Sequence, residues 1–569
     1  MKNCMILISL IFILLFFFSS AAAANKRQDF NFYNFIKAGE EYLVEYRLAN
    51  MSLAEKVGQL FQVGFHSKTA DREIKDLIEN YHIGGVIYFS RNIENLEQTA
   101  ELSKELQQLA LNSDSAIPLF ISADQEGGTV TRLSGATHFP GNMAQGAADD
   151  KDLTKKMAEY TAVELKNLGI NVNLAPVLDV NNNPANPVIG VRSFGEDPQL
   201  VAELGTAYIK GLQSEGVTAT AKHFPGHGDT AVDSHLDLPI IEHQRSRLER
   251  VELYPFKKAA EAGVDSIMTS HIYFPAIEKE KEIPATLSKA VLTDLLRNEL
   301  KFDGLIITDC MEMNAVANSF GTVEGAVRTI EAGSDTVLVS HSYQQQKNAV
   351  EAVIAAVKSG RISEKRIDAS VRRILSLKGK RINISQIDQI DPAQIDFKKH
   401  QKIAKKIAEK ALTIVKNEGL LPLKNIKEKQ VAVVDFEKGR VSLAEDESEE
   451  NNLFVNYLNQ EIKNLKHIKL SNSSTLSRSA KEKLEESDLI IVCTYNAVAN
   501  KYQAALAEEL AENNNVLVLA LSNPYDYQLL EETQAFITTY DYSPANQRAA
   551  ADFILGKIEG EGSLPVTID

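Results

Sequence analysis

Between about residues 58 and 380, eight short β-branched runs alternate with longer helical patterns, a rhythm that predicts an α/β chain opening on a (β/α)8 TIM-type barrel. Past a polar break, four further apolar runs separated by helices predict a smaller α/β sandwich domain. Along the 569 residues the expected order is a signal peptide at 1–24, the barrel at 25–380, a linker at 381–399 and the sandwich at 400–569.

The N-terminus reads as an export signal. Lys2 supplies the positive start, Met5 to Phe18 is apolar, and Ser19 to Ala24 offers small-residue cleavage positions. Cys4 precedes the apolar run, the wrong side for lipid attachment. Left uncleaved, the segment is about long enough to anchor the chain in a bilayer, and no later stretch resembles a transmembrane helix.

The barrel strands are expected at Leu60 to Phe65, Ile83 to Phe89, Ile117 to Asp124, Ile170 to Val177, Thr218 to Phe224, Ser266 to Ile272, Gly304 to Asp309 and Asp335 to His341. Lys151 to Leu168 shows why the intervening stretches read as helices: Leu153, Met157, Leu165 and Leu168 share one face, and Gly169 is a natural stop. Lys378 to Lys399 is polar and charged around Ile390 and Pro392, which suits a linker. The sandwich strands are expected at Val431 to Phe436, Asp488 to Tyr495, Val516 to Pro524 and Ala535 to Tyr542, with a helix over Lys501 to Asn513. The acidic patch Glu445 to Glu450 reads as a solvated loop.

The formal net charge is −16, which argues against nucleic acid as partner and speaks to solubility rather than substrate. Of three cysteines, signal removal would leave Cys310 and Cys493 in unrelated elements, so no disulfide framework is expected. Export without disulfides suits a Gram-positive cell surface, secreted or wall-associated. Neither a phosphate-binding Gly-Lys-Ser/Thr loop nor a dinucleotide fingerprint occurs, so no cofactor is expected.

In such a barrel, strand ends and the loops after them build the active site. Asp124, Lys222 with His223, His271 and Asp309 all end apolar runs and should converge on one mouth. Asp309 closes Gly-Leu-Ile-Ile-Thr-Asp, where a carboxylate could attack an anomeric carbon or, alternatively, cap the next helix. The densest signal is Lys222-His-Phe-Pro-Gly-His-Gly-Asp-Thr230 followed by Ala-Val-Asp-Ser-His235. Asp233 and His235, two apart in an extended segment, share a face, so the carboxylate can orient the imidazole as an acid/base pair. A metal site is the rival, since His223, His227, Asp229, Asp233 and His235 are all ligand types. Against it, Pro225 and two glycines deny the regular helix that an i, i+4 histidine pair requires. Loop histidines satisfied by backbone are the third reading.

The loop resembles the signature of bacterial glycoside hydrolase family 3 in its β-N-acetylglucosaminidase branch. Ala123-Asp-Gln-Glu-Gly-Gly128 with Arg132, Val188-Ile-Gly-Val-Arg-Ser-Phe-Gly195, Lys222 to Thr230 and Thr308-Asp309 occur in the family's order. Ala411 to Leu423, with Val415-Lys-Asn417 and Leu421-Pro-Leu423, is similar to the opening of the family's second domain. The resemblance implies that Asp309 is the nucleophile, His235 the acid/base and Asp233 its partner. It further implies that Asp124, Arg132, Arg192, Lys222 and His223 hold the non-reducing sugar, although Arg132 and Arg192 would also serve as structural ion pairs. In the family's β-glucosidase branch a glutamate from the second domain is the acid/base; here the barrel carries a complete set, so the second domain is expected to supply no catalytic residue.

The activity so implied is retaining removal of terminal GlcNAc from peptidoglycan fragments, such as GlcNAc-MurNAc pieces and muropeptides in wall recycling. A histidine acid/base is not an anion after giving up its proton, so phosphorolysis on the same site is the alternative. A metal-dependent hydrolase and a non-catalytic sugar-binding protein are the remaining readings.

Overall fold

The computed structural model describes residues 42–438, 445, 452–472 and 476–568. The signal expected at 1–24 lies outside the described residues, as does all of the 445–450 patch except Glu445. Residues 42–49 are helical, and Asn50–Asp569 is one large compact unit. No described helix is long and apolar enough to cross a membrane.

Eight parallel strands close into a barrel: β1 (Phe61–Val63), β2 (Gly85–Tyr88), β3 (Phe120–Ala123), β6 (Val172–Asn173), β7 (Thr218–Phe224), β8 (Ser266–Thr269), β9 (Leu305–Cys310) and β10 (Thr336–Val339). Between β3 and β6 a small antiparallel hairpin, β4 (Gln125–Gly127) with β5 (Val130–Thr131), rises from the mouth. Each barrel strand lies within a run read from the sequence, except that β9 extends one residue past Asp309 to Cys310. Side chains of these strands are almost all buried, because helices cover one face and the packed interior the other. Closure pairs Phe61 to Val63 with Val337 to Val339.

The end of the barrel opposite the mouth is tied by charge. Asp335, fully buried, accepts from Ser370 Oγ at 2.6 Å, Ile306 N at 3.1 Å and Arg373 Nη1 at 3.2 Å, and from Arg297. A buried carboxylate is tolerated when its lone pairs are filled in this way. Helix Lys151–Asn167 starts on the Asp150 cap and stops before Gly169, whose φ of +75° few other residues adopt cheaply.

The second domain is a six-stranded sheet in the order β11-β16-β15-β14-β12-β13. Four strands match the apolar runs: β12 (Gln430–Phe436), β14 (Leu489–Thr494), β15 (Val516–Ala520) and β16 (Ala535–Thr538). The other two, β11 (Thr413–Asn417) and β13 (Asn464–Leu470), are the sheet's edges and were not expected as strands. Lys466, His467 and Lys469 on β13 are the polar residues that edge strands carry, which hides them from a search for apolar runs.

The segment expected to be a linker is built differently. Helix Glu364–Arg381 runs into it, short turns follow at Ile384–Gln389 and Pro392–Gln394, and helix Phe397–Ala411 begins before residue 400. Ile387, Ile390 and Ile395 are buried there. Helix Phe397–Ala411 then packs against barrel helices Asn142–Ala148 and Lys151–Asn167 and against Pro544–Ile554 of the second domain. Its His400 stacks on Tyr160 with centroids 4.4 Å apart and bonds Glu164 at 2.6 Å. Beyond it the two domains share a seam. Asp541 Oδ2 accepts from Gly141 N at 2.7 Å, Glu196 N donates to Pro565 O at 3.0 Å, and Met143, Ala147, Tyr525, Tyr540 and Val566 form a common apolar cluster.

Candidate active site

The carboxyl ends of the barrel strands surround a cavity of about 420 Å³, a size typical of small-ligand sites. All its lining residues fall between Ile87 and His341, so among the described residues the second domain supplies none. Asp124, Arg132, Arg192, Lys222, His223, His235 and Asp309 line it together; Asp233 stands behind His235.

Asp309 is delivered by β9, and its Oδ1 accepts from Cys310 N at 2.7 Å. Burial pushes its carboxyl up, but the His271, His223 and His235 rings and that N–H outweigh burial and hold it below the usual carboxylate range. His271 also fixes the strand end. Its Nε2 donates to Cys310 O at 2.9 Å, and its Nδ1 faces the Thr286 hydroxyl at 2.9 Å.

The Asp233–His235 pair is set by local geometry. Asp233 Oδ1 accepts both His235 N at 2.8 Å and His235 Nδ1 at 2.7 Å, as the two-residue spacing allows. The Nδ1 proton is thereby committed to Asp233, and Nε2 is the nitrogen left for a substrate. Burial raises the Asp233 carboxyl, yet the bonds from His235 bring it below its ordinary value.

A buried charge network floors the cavity. Lys222 Nζ lies 2.7 Å from Asp124 Oδ1 and 2.8 Å from Glu126 Oε1. Arg192 forks onto Glu126 through Nε at 3.0 Å and Nη2 at 2.8 Å, and its Nη1 donates to Val188 O at 3.1 Å. Arg132 Nη2 stands 3.7 Å from Asp124 Oδ2. Burial opposes ionisation of Glu126, but Arg192 and Lys222 hold its carboxyl far below the usual range. Arg192 is therefore an ion-pair anchor as well as a wall of the cavity. Glu126 sits inside the quoted Asp-Gln-Glu string but was not singled out; two cations aimed at the same mouth called for a second carboxylate beside Asp124.

Asp179 was missed as well. Fully buried, it accepts His223 Nδ1 at 2.7 Å, His223 N at 3.2 Å and His227 N at 2.6 Å. It therefore holds the loop's backbone and turns His223 Nε2 toward the cavity. The sequence reading ended the fourth strand at Val177, two residues short of it.

His227 is neither idle nor a ligand partner of His223. Thr230 Oγ1 donates to His227 O at 3.2 Å, so His227 Nδ1–H donates to that oxygen at 3.0 Å and Nε2 accepts from Ser234 Oγ at 3.0 Å. Burial pushes its ring down to about 4. Through Ser234, which lies between Asp233 and His235, this neutral histidine braces the Asp233–His235 segment. The metal set considered from the sequence does not assemble among the described residues: no three of His223, His227, Asp229, Asp233 and His235 bring ligand atoms together, Nδ1 of His223 and of His235 being taken by Asp179 and Asp233 and both nitrogens of His227 by Thr230 and Ser234.

Chemically, the cavity presents a buried carboxylate, an imidazole with one nitrogen open to proton exchange, and a charge network suited to adjacent hydroxyls. The family model for the glycosyl hydrolase family 3 N-terminal domain matches residues 52–377, and that for the family's C-terminal domain matches 412–569. The solved structure of a glycoside hydrolase family 3 β-N-acetylglucosaminidase from Paenibacillus sp. str. FPU-7 is 43% identical, with a TM-score of 0.85, covering 91% of this chain and 99% of that one. β-Hexosaminidase A of Pseudoalteromonas piscicida is 33% identical over 550 residues, 88% of this chain and 92% of the relative. A β-N-acetylglucosaminidase/β-glucosidase of Cellulomonas fimi is 28% identical over 547 residues, 91% of this chain and 94% of the relative. With both family domains present in order and a cavity equipped for glycoside cleavage, the chain belongs to glycosyl hydrolase family 3 and is an enzyme of that family's β-N-acetylhexosaminidase type.

Proposed function

We propose that the protein is a retaining exo-β-N-acetylglucosaminidase that removes terminal GlcNAc from peptidoglycan fragments outside the membrane, through a covalent glycosyl–Asp309 intermediate. One observation carries the reading: Asp309 and His235 line the same cavity, with His235 Nδ1 bonded to Asp233 and Nε2 left for the leaving group. In the first step an Asp309 oxygen bonds to the anomeric carbon while the glycosidic C–O bond breaks, and His235 Nε2–H passes its proton to the departing oxygen. In the second, His235 Nε2 takes a proton from water, whose oxygen displaces Asp309 from the same carbon. Two inversions give net retention. The Asp124, Lys222, Arg132 and His223 side chains suit the hydroxyls of the terminal sugar, and the Met1 to Ala24 segment supports export toward the cell wall.

Asp233 sits behind His235 rather than in the cavity, so the deprotonated imidazole presents no negative charge to an incoming phosphate. That placement supports phosphorolysis as the second reading. Release of chromophore from an aryl β-N-acetylglucosaminide is the test, with wild type, Asp309→Ala and His235→Ala, each with and without phosphate. Loss of turnover in both variants, with the β-anomer formed first by proton NMR, supports the assigned roles. Sugar 1-phosphate formed in phosphate would move the reading to phosphorylase, and undiminished turnover by Asp309→Ala would sink the mechanism. Release of GlcNAc from GlcNAc-MurNAc fragments in preference to chitin oligomers checks the wall assignment.

A further inference from the structure

Behind the catalytic loop, on the side away from the sugar cavity, lies a second cluster of ligand-type side chains. Asp229, His243 and Glu252 bring two carboxylate oxygens and an imidazole nitrogen within 4.8 Å of one another. None of the three lines the sugar cavity. They come from separate stretches of chain: Asp229 from the loop after β7, His243 from the segment before helix Arg245–Arg250, and Glu252 from the N-cap position of helix Leu253–Glu261.

Glu252 is the informative member. Its side chain is only 3% exposed, and neither of its carboxylate oxygens takes a hydrogen bond. Arg247 Nη2 approaches Oε1 at 3.2 Å, and the Asn182 side chain and the residue's own N–H also face the carboxylate, but burial outweighs them and pushes the carboxyl up. Buried carboxylates are normally fully bonded, and one that is not calls for a partner. The backbone of the catalytic loop presses directly on this side chain, since a Cβ at Gly226 would stand 2.9 Å from Glu252 Cβ. On the solvent side, Asp229 Oδ2 and His243 Nε2 face each other at 2.5 Å, with side chains 22% and 39% exposed, so an ion has a route in.

We propose that Asp229, His243 and Glu252 form a site for one divalent cation of the Zn2+/Mn2+ class, which pins the loop 226–235 to helix Leu253–Glu261. Two carboxylates and one imidazole suit such an ion better than the soft metals that thiolates select. Water completes the coordination on the exposed side. The site is structural: it holds in place the loop bearing Asp233 and His235 and takes no part in bond breaking. It does not depend on the roles assigned to Asp309 and His235.

The test uses the full chain, stripped with a chelator and titrated calorimetrically with Zn2+ alone and then Mn2+ alone. Wild type should bind one ion, and His243→Ala and Glu252→Gln should each weaken binding by about tenfold or more. Cys310→Ala, which removes the thiol of the other described ligand cluster, Cys310 with Glu312 and His341, should bind as wild type. The Co2+ complex should lack a thiolate charge-transfer band, and hydrogen exchange over 226–235 should slow when Zn2+ is added. His243 is partly exposed, so His243→Ala is expected to fold even if the Glu252 variant does not. No stoichiometric binding by wild type, undiminished binding by His243→Ala, a thiolate band with Co2+, or loss of binding in Cys310→Ala would each overturn the proposal.

Discussion

Acidification should loosen this protein through His227. Its buried ring, pushed down to about 4 from an ordinary 6.5, accepts a hydrogen bond from the Ser234 hydroxyl that a protonated ring cannot accept. The unfolded chain therefore takes up this proton at higher pH than the folded one. The stabilisation from a neutral His227 is fully present above about pH 6.5 and drains away as pH falls toward 4. A depression of two and a half units corresponds to about 3 kcal/mol. Other buried histidines titrate too, so the measurement is a difference between wild type and His227→Gln, which keeps an acceptor near Ser234 but does not titrate. The chain has no tryptophan, so urea unfolding is best followed by far-ultraviolet circular dichroism at intervals from pH 7 to pH 4. Wild type should lose about 3 kcal/mol more than the variant over that range. Parallel pH dependences in the two proteins would refute the reasoning.

Asp526 offers the opposite sign: burial raises its carboxyl to about 7, so the fold holds it protonated and loses stability as pH rises from about 3.8 to 7. Asp526→Asn should remove that loss and stabilise the protein at pH 8 by as much as about 4 kcal/mol, read as a higher urea midpoint. Asp233→Asn should leave His235 in place but undo its tautomer control, lowering kcat by about 10²–10⁴ with a smaller change in KM, as steady-state kinetics on an aryl glycoside would show. Arg192→Ala strips Glu126 of its bidentate partner and should destabilise the fold by about 3–5 kcal/mol, measured by chemical denaturation.

What could be read from the sequence follows from what each residue is buried against. The barrel strands are apolar on both faces, so runs such as Thr218 to Phe224 and Leu305 to Asp309 stand out without any long-range information. The edge strands β11 and β13 do not, because solvent on one side lets Lys466 and Lys469 interrupt the pattern. Helix Phe397–Ala411 was partly hidden in a supposed linker for a related reason: its stretch is rich in lysine, and of its buried positions His400, Ala404, Ile407, Ala408 and Ala411 only Ile407 is strongly apolar. At the site, residues that end strands or sit in a dense motif could be singled out, and the structure puts Asp124, Lys222, His223, His235 and Asp309 in one cavity, with Asp233 behind His235 and His271 outside the lining. Glu126, Asp179 and the bracing role of His227 depend on partners 44–96 positions away or on which ring nitrogen faces which hydroxyl, and spacing along the chain carries neither.

Helix Phe397–Ala411 also bears on how separable the two halves of this enzyme are. A cut in the polar stretch ahead of it, around residues 382–395, would leave the barrel without the cover on its Asn142–Ala148 and Lys151–Asn167 flank and would strand Glu164 without His400. A cut after it would take from the second domain the helix on which Pro544–Ile554 rests. Neither division yields two finished surfaces. A chimera that exchanges the second domain would have to carry this helix and recut the barrel flank to match.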